Sequence, residues 1–136
     1  LKYQGLNTLV RSKNNAPTTA QREWRSKVAD LGCVVCGSTQ VQIHHVLGAT
    51  AKHNKIHIGE WFILPLHPIN HSYIDQGIKG LNILKSDAIS RYDEQNLVDP
   101  MSLHDFEKYL FGKVLRKLRD RPFGQDVINA ISDWSR

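Results

Sequence analysis

Cysteine is scarce in this chain: Cys33 and Cys36 are the two among 136 residues. Two cysteines three positions apart are poor material for a structural disulfide framework; they suit a metal knuckle or a redox pair. A thioredoxin-like redox pair belongs in a βαβ setting, and none is visible around "CVVCG". Long apolar runs are missing too, and nothing approaches the ~20 residues that span a bilayer. The opening "LKYQGLNTLV" lacks the charged-then-apolar layout of a signal peptide. It starts at Leu1 rather than Met, as a fragment or processed form does. A reduced, cytoplasmic compartment is therefore the expectation. Acidic residues are in deficit, 13 against 18 basic ones, for a net charge of +5. That moderate excess favours a polyanionic partner, although a solvated basic surface is the plain alternative. No internal repeat and no low-complexity tract is present.

What is there suits one domain with a modest core, since 40% of the residues are apolar. Residues 1–17 are polar and aperiodic, and they read as an extended basic arm carrying Lys2, Arg11 and Lys13. A helix is predicted next. Thr18 and Gln21 form a capping-box pattern, Trp24, Val28 and Leu31 share a face, and Gly32 ends it. The Cys-x-x-Cys follows, with Gly37 free to take a positive φ. "VQIHHVL" reads as a strand, "GATAKHNKIHIG" as a loop or ragged hairpin tip, and "WFILPL" as a second, buried strand. Pro68 stands where a helix begins, and "PINHSYIDQGI" is that helix. Further on, "LNILKSDAISRY" has weak helical periodicity. "SLHDFEKYLFGKVLRKLRDR" is stronger, with Ser102 and Asp105 as its cap pattern and Leu103, Phe106, Leu110 and Val114 on one face. "QDVINAISDW" makes a last short helix. The fold class expected is α+β.

Six of the seven histidines fall between positions 44 and 71, just after the two cysteines. Such clustering marks metal sites. Decoration of a polar loop explains His53 and His57 well enough. It explains His44, His45, His67 and His71 less well, because these interrupt apolar segments. His67 and His71 are four apart, which on a helix stacks them on one face, and Asp75 continues that face. Paired ligands at this spacing are how a helix presents itself to a divalent ion. Nitrogen ligands suit zinc, and an added carboxylate widens the choice to magnesium or manganese. His44 and His45 raise a difficulty. Successive strand residues point to opposite faces, so a regular strand cannot aim both into one site. Either the strand is bulged or one histidine has a separate task.

The ordered series Cys33-x-x-Cys36, "IHH", "LPLH", His71 and Asp75 resembles the HNH nucleases, whose core is the ββα-metal motif. Within them it is similar to the phage-type recombination-enhancement, RecA-dependent nuclease family, on the strings "ADLGCVVC", "IHH" and "LPLH" (where that family has "IPLC"). The likeness covers about residues 22–76. It implies a single nuclease domain over 18–136, with a ββα core and zinc knuckle at about 33–77 and a helical part at about 81–135. It implies His45 as the general base that activates water, and His44 and His71 as ligands of a catalytic magnesium, manganese or zinc ion, with Asp75 completing the set. It implies structural zinc on Cys33, Cys36 and His67. The fourth place falls on Asn70, a poor zinc ligand, so that ligand stays open.

The function that follows is a metal-dependent endonuclease hydrolysing DNA phosphodiesters, in phage or prophage recombination or DNA processing within a bacterial host cell. A RecA-type filament enters as a partner through the resemblance alone. Lys113, Arg116, Lys117, Arg119 and Arg121, in the basic half of the long C-terminal helix, are the candidates for the phosphate backbone. The rival is a catalytically silent, metal-stabilised DNA-binding or recombination accessory module. It has no use for an imidazole at 45 beside His44.

Overall fold

The computed structural model describes residues 16–94, 97 and 101–135. The arm assigned to 1–17 therefore lies outside the described residues, apart from its last two positions. Among the described residues the chain is α+β, with five helices and two small antiparallel sheets. No helix among them is long and apolar enough to cross a membrane.

Helix α1 (Thr19–Asp30) begins as the sequence predicts. The Thr18 hydroxyl accepts from the Gln21 N–H at 3.1 Å, and the Gln21 side chain accepts from the Thr18 N–H at 2.7 Å. A cap of this kind stabilises a helix by about 1 kcal/mol. Gly32, at φ +79°, turns the chain out of the helix. Trp24 and Val28 are buried. The Trp24 indole N–H donates to the Trp61 carbonyl at 3.0 Å, and its ring meets the Phe123 ring edge-on at 4.8 Å. One tryptophan thus ties α1 both to the segment ahead of the second long strand and to the far C-terminal part.

The knuckle at Cys33–Ser38 is closed by the Cys33 N–H on the Ser38 carbonyl and by the Gly37 N–H on the Cys33 carbonyl. It is pinned to the sheet by the Val34 N–H on the Pro65 carbonyl at 2.9 Å. Strand β1 (Gln42–His45) is shorter than its apolar run. The residues after it bend into a tight turn that opens the hairpin of β2 (Lys52–His53) and β3 (Ile56–His57). Asn54 and Lys55 form the hairpin tip, both at positive φ. Asn54 has thus a turn-forming position, which suits Asn. Strand β4 (Ile63–Leu66) is buried throughout and pairs antiparallel with β1, His44 opposite Leu64 and His45 opposite Ile63.

Helix α2 (Pro68–Tyr73) follows at once, with Pro at its first position. It is shorter than predicted. His67 is its cap rather than a helical residue, accepting from the Ile69 N–H through Nδ1 at 3.1 Å. Asp75 lies beyond its end and is exposed. The expected single face of His67, His71 and Asp75 is therefore not formed: six residues of helix cannot carry three positions spread over nine. Helix α3 (Gly77–Tyr92) is longer than its weak periodicity implied. Its last residue reaches back, the Tyr92 hydroxyl donating to the Val34 carbonyl of the knuckle at 2.6 Å.

Helix α4 (Leu103–Lys117) is capped by the Ser102 hydroxyl on the Asp105 N–H. Phe106, Leu110 and Val114 are buried as their spacing requires, and Leu103 is half-buried. The helix stops at Lys117, short of the predicted Arg121. Arg121 instead folds back to donate to the Leu115 and Leu118 carbonyls at 2.9 and 3.0 Å. Those are carbonyls that a helix C-terminus leaves open, and a cation suits that end of the dipole. Helix α5 (Gln125–Asp133) buries Val127, Ala130 and Ile131.

Gly59 is the tightest point of the loop between β3 and β4. A Cβ there would stand 2.2 Å from the Gly48 carbonyl oxygen and 2.5 Å from that of Ala49. Its N–H and that of Ile58 both donate to the Ala51 carbonyl at 3.0 Å. The neighbours are backbone, so they cannot rotate away. Gly59→Ala should destabilise the fold by about 1–3 kcal/mol, the usual cost of overpacking. Urea denaturation monitored by tryptophan fluorescence checks this.

Candidate functional site

The adjacent histidines of β1 take separate partners. His44 Nε2–H donates to the Glu107 carboxylate of α4 at 2.8 Å. Its ring lies 5.0 Å from the ring of His71, centroid to centroid, at an interplanar angle of 56°. His45 Nε2–H donates to Glu60 at 2.8 Å. The strand is regular here, so its alternation sends the two rings to opposite faces.

Glu60 is 5% exposed. Its Oε1 also receives the Arg25 guanidinium at 3.0 Å, and its own N–H donates to His57 Nε2 at 3.3 Å. Burial alone would raise its carboxyl. The bonds from His45 and Arg25, with their charge, outweigh that and hold it below the ordinary carboxylate range. Arg25 extends from α1 and His45 from β1, so two elements converge on the carboxylate, while His57 of β3 holds the Glu60 backbone. With Nε2 committed to Glu60, Nδ1 is the nitrogen of His45 left to accept a proton.

Glu107 is 1% exposed, and its surroundings are leaner. Oε2 takes the His44 bond. Oε1 lies 3.1 Å from His104 Nδ1, one turn earlier on α4, but the two are misaligned and neither makes a hydrogen bond. The His104 ring meets Trp134 edge-on at 4.9 Å.

His71, on α2, donates Nδ1–H to the Gln42 Oε1 at 2.9 Å. Burial, then the neighbouring His44, pushes its pKa down, against an opposing pull from Asp75. His71 is thus neutral at neutral pH, the form that ligates metal. Both His44 and His71 have one nitrogen fixed by an oxygen acceptor and the other uncommitted. Metal-binding histidines are held in this way. His44 Nδ1 and His71 Nε2 are the donors that this pair could offer to a divalent cation.

The knuckle residues are a different case. Cys33 is buried and its thiol donates to the Asn70 Oδ1 at 3.3 Å; Cys36 is exposed. Desolvation and the nearby Cys33 sulfur push the Cys36 thiol up, against a bond from Ser38. His67 offers only Nε2, since Nδ1 caps α2. The donor set is two sulfurs and one imidazole, with an amide in the fourth place. Among the described residues no three His, Cys, Asp or Glu side chains converge as a preformed metal cage.

Of the basic candidates on the C-terminal side, Arg116, Lys117 and Arg119 are exposed. Lys113 is engaged otherwise. It pairs with Glu94 and lies over the Tyr92 and Tyr109 rings at 4.5 and 5.1 Å. Arg121 is held by the end of α4, as above. Lys113 and Arg121 are thus engaged in contacts within the chain, while among the described residues no hydrogen bond or ion pair holds Arg116, Lys117 or Arg119.

Glu60 and Glu107 are the site residues that sequence reasoning missed. Glu107 sits one position after Phe106, beside the apolar face of α4, and its burial has no mark in the helical spacing. Comparison with family models, with curated proteins and with solved structures finds no match to this chain.

The lowered pKa of Glu60 makes a prediction about acid stability. A depressed carboxyl contributes stability that is fully present above its unfolded value, about 4.3, and is lost as pH falls through the folded one. Glu60→Gln should therefore be less stable than wild type at pH 7. The gap should close as pH drops below about 4. Chemical denaturation midpoints for both proteins between pH 7 and pH 3 would test this; a gap constant with pH refutes it.

Proposed function

We propose that this chain is a metal-dependent endonuclease of the HNH type, hydrolysing DNA phosphodiesters. One observation carries the reading: an antiparallel strand pair followed directly by a helix brings His44 and His71 to 5.0 Å, with His45 beside them on the same strand. The resemblance in "IHH" and "LPLH" requires this order of elements. A divalent cation held by His44 and His71 would supply Lewis acidity at the leaving 3′ oxygen. Asp75, exposed beyond α2, would act on that ion through its charge. Cys33, Cys36 and His67 would hold a structural zinc, with Asn70 in the fourth place. A recombinase filament as partner rests on the resemblance alone.

His45 is the proton acceptor in this reading. Glu60 holds Nε2–H, which leaves the Nδ1 lone pair to take a proton from the attacking water. As the imidazole becomes imidazolium, Glu60 stabilises the charge, and Arg25 keeps Glu60 ionised while it does so. A phosphodiester running past β1 would meet His45 on one face and His44 with His71 on the other. Separate faces then serve separate tasks: proton removal and charge stabilisation.

His45→Ala should reduce nicking of supercoiled plasmid in Mg²⁺ or Mn²⁺ by ~100- to 10,000-fold, the usual worth of a general base. DNA binding should change little, because the lost interaction belongs to the transition state. A wild-type protein that binds DNA yet never nicks it, with or without EDTA, would favour the silent accessory module.

The exposed cations make a second prediction. Each phosphate contact contributes about −0.9 to the slope of log K against log salt on duplex DNA. Changing Arg116, Lys117 and Arg119 together to Ala should flatten that slope by up to about three units, across all sequences tested. Changing Lys113 alone should leave the slope unaltered and lower the melting temperature instead. Fluorescence anisotropy over a salt series distinguishes the two.

A further inference from the structure

The carboxylate that holds His44 comes from α4, outside the strand–strand–helix unit. We infer that Glu107 is a positioning residue: it fixes His44 with the proton on Nε2 and so presents Nδ1 to a divalent cation shared with His71. This rests on the reading of His44 and His71 as metal ligands, and it extends that site into the C-terminal helical part.

Three observations support it. First, Glu107 is 1% exposed on a helix that otherwise buries apolar residues, Phe106, Leu110, Phe111 and Val114. A buried carboxylate carries a desolvation cost that apolar packing does not offset, so packing alone gives little reason for it. Second, its bond goes to one nitrogen of one ring, at 2.8 Å. A carboxylate on a histidine's far nitrogen fixes the tautomer and ring orientation and raises the basicity of the other nitrogen. Third, its second oxygen is buried without a hydrogen bond, 3.1 Å from His104 Nδ1. Glu107 carries no lysine or arginine partner among its described contacts, in contrast to Glu60 with Arg25. Among the described contacts, then, Glu107 meets histidines alone, and a cation bound on the far side of His44 would sit within reach of that carboxylate's field.

The test uses the full chain and Mn²⁺ as probe, with two variants. Glu107→Leu keeps the volume and removes the acceptor. Glu107→Gln keeps an oxygen acceptor without the charge. Mn²⁺ binding is measured by calorimetry, and the His44 tautomer by ¹⁵N chemical shifts in the metal-free protein. The wild type should show the Nε2–H tautomer. Glu107→Leu should bind Mn²⁺ about 10- to 100-fold more weakly, the usual cost of losing such a partner, and Glu107→Gln should recover most of that loss. Equal Mn²⁺ affinity in all three proteins, no Mn²⁺ binding by the wild type, or an Nδ1–H tautomer in the wild type would each overturn the proposal. The tautomer measurement needs only the wild type, so it decides even where Glu107→Leu fails to fold. Plasmid nicking is read separately. Glu107-dependent Mn²⁺ binding without nicking retains the positioning role and removes the nuclease reading. Mn²⁺-dependent nicking indifferent to Glu107 does the reverse.

Discussion

Strand alternation is the constraint on which the candidate site depends. β1 pairs with β4 over four residues, and within that register His44 and His45 must face opposite ways. Neither ring can share the other's partner, so the fold supplies two carboxylates from two directions. Glu60 arrives from the loop ahead of β4 and Glu107 from α4. A slip of one residue in the pairing would turn each imidazole to the wrong face. The register is guarded by β4, all four of whose residues are buried, and by the Val34 N–H that ties the knuckle to Pro65 from the other side.

The two carboxylates are solvated in different ways. Removing a carboxylate from water costs several kcal/mol unless charge or hydrogen bonds compensate. Glu60 meets a permanent cation, Arg25, as well as His45, and so remains ionised at any ordinary pH. Glu107 has two imidazoles, only one of them in hydrogen-bonding alignment. Among the described contacts, the carboxylate on the His45 side meets a guanidinium, and the one on the His44 side meets imidazoles only. That asymmetry matches the division of labour proposed for the pair.

Much of this fold was legible in the sequence. The capping box at Thr18, the stop at Gly32, the knuckle, both strands flanking the histidine loop and the start of α2 at Pro68 all rest on local chemistry, and each formed where that chemistry required. The misses have a common cause, which is tertiary context. α2 was expected to run through Asp75, but six residues of helix end before it. The basic residues from 113 to 121, all candidates for the phosphate backbone, divide into exposed and internally engaged ones. Lys113 lies over two tyrosines and pairs with Glu94, 19 positions away, and Arg121 folds back on the end of its own helix. Glu60 and Glu107 were invisible for the same reason. A carboxylate at the margin of an apolar face is solvated by default, and only a partner 15 or 63 positions away in sequence changes that.

α4 has a further consequence for the proposed activity. It is a single rigid element of 15 residues, with Glu107 near one end and Lys117 at the other. At 1.5 Å per residue those ten positions span about 15 Å. Successive phosphates on one DNA strand are separated by about 3.4 Å of helix axis. Arg116 and Lys117 lie about 15 Å along α4 from Glu107, the residue that holds His44, a reach of several such steps. The same helix would fix both the orientation of His44 and the distance from it to the basic end. Phosphate contacts of the kind proposed for these residues set register without reading bases. Sequence preference, in that arrangement, has to come from elsewhere on the chain or from the shape of the DNA.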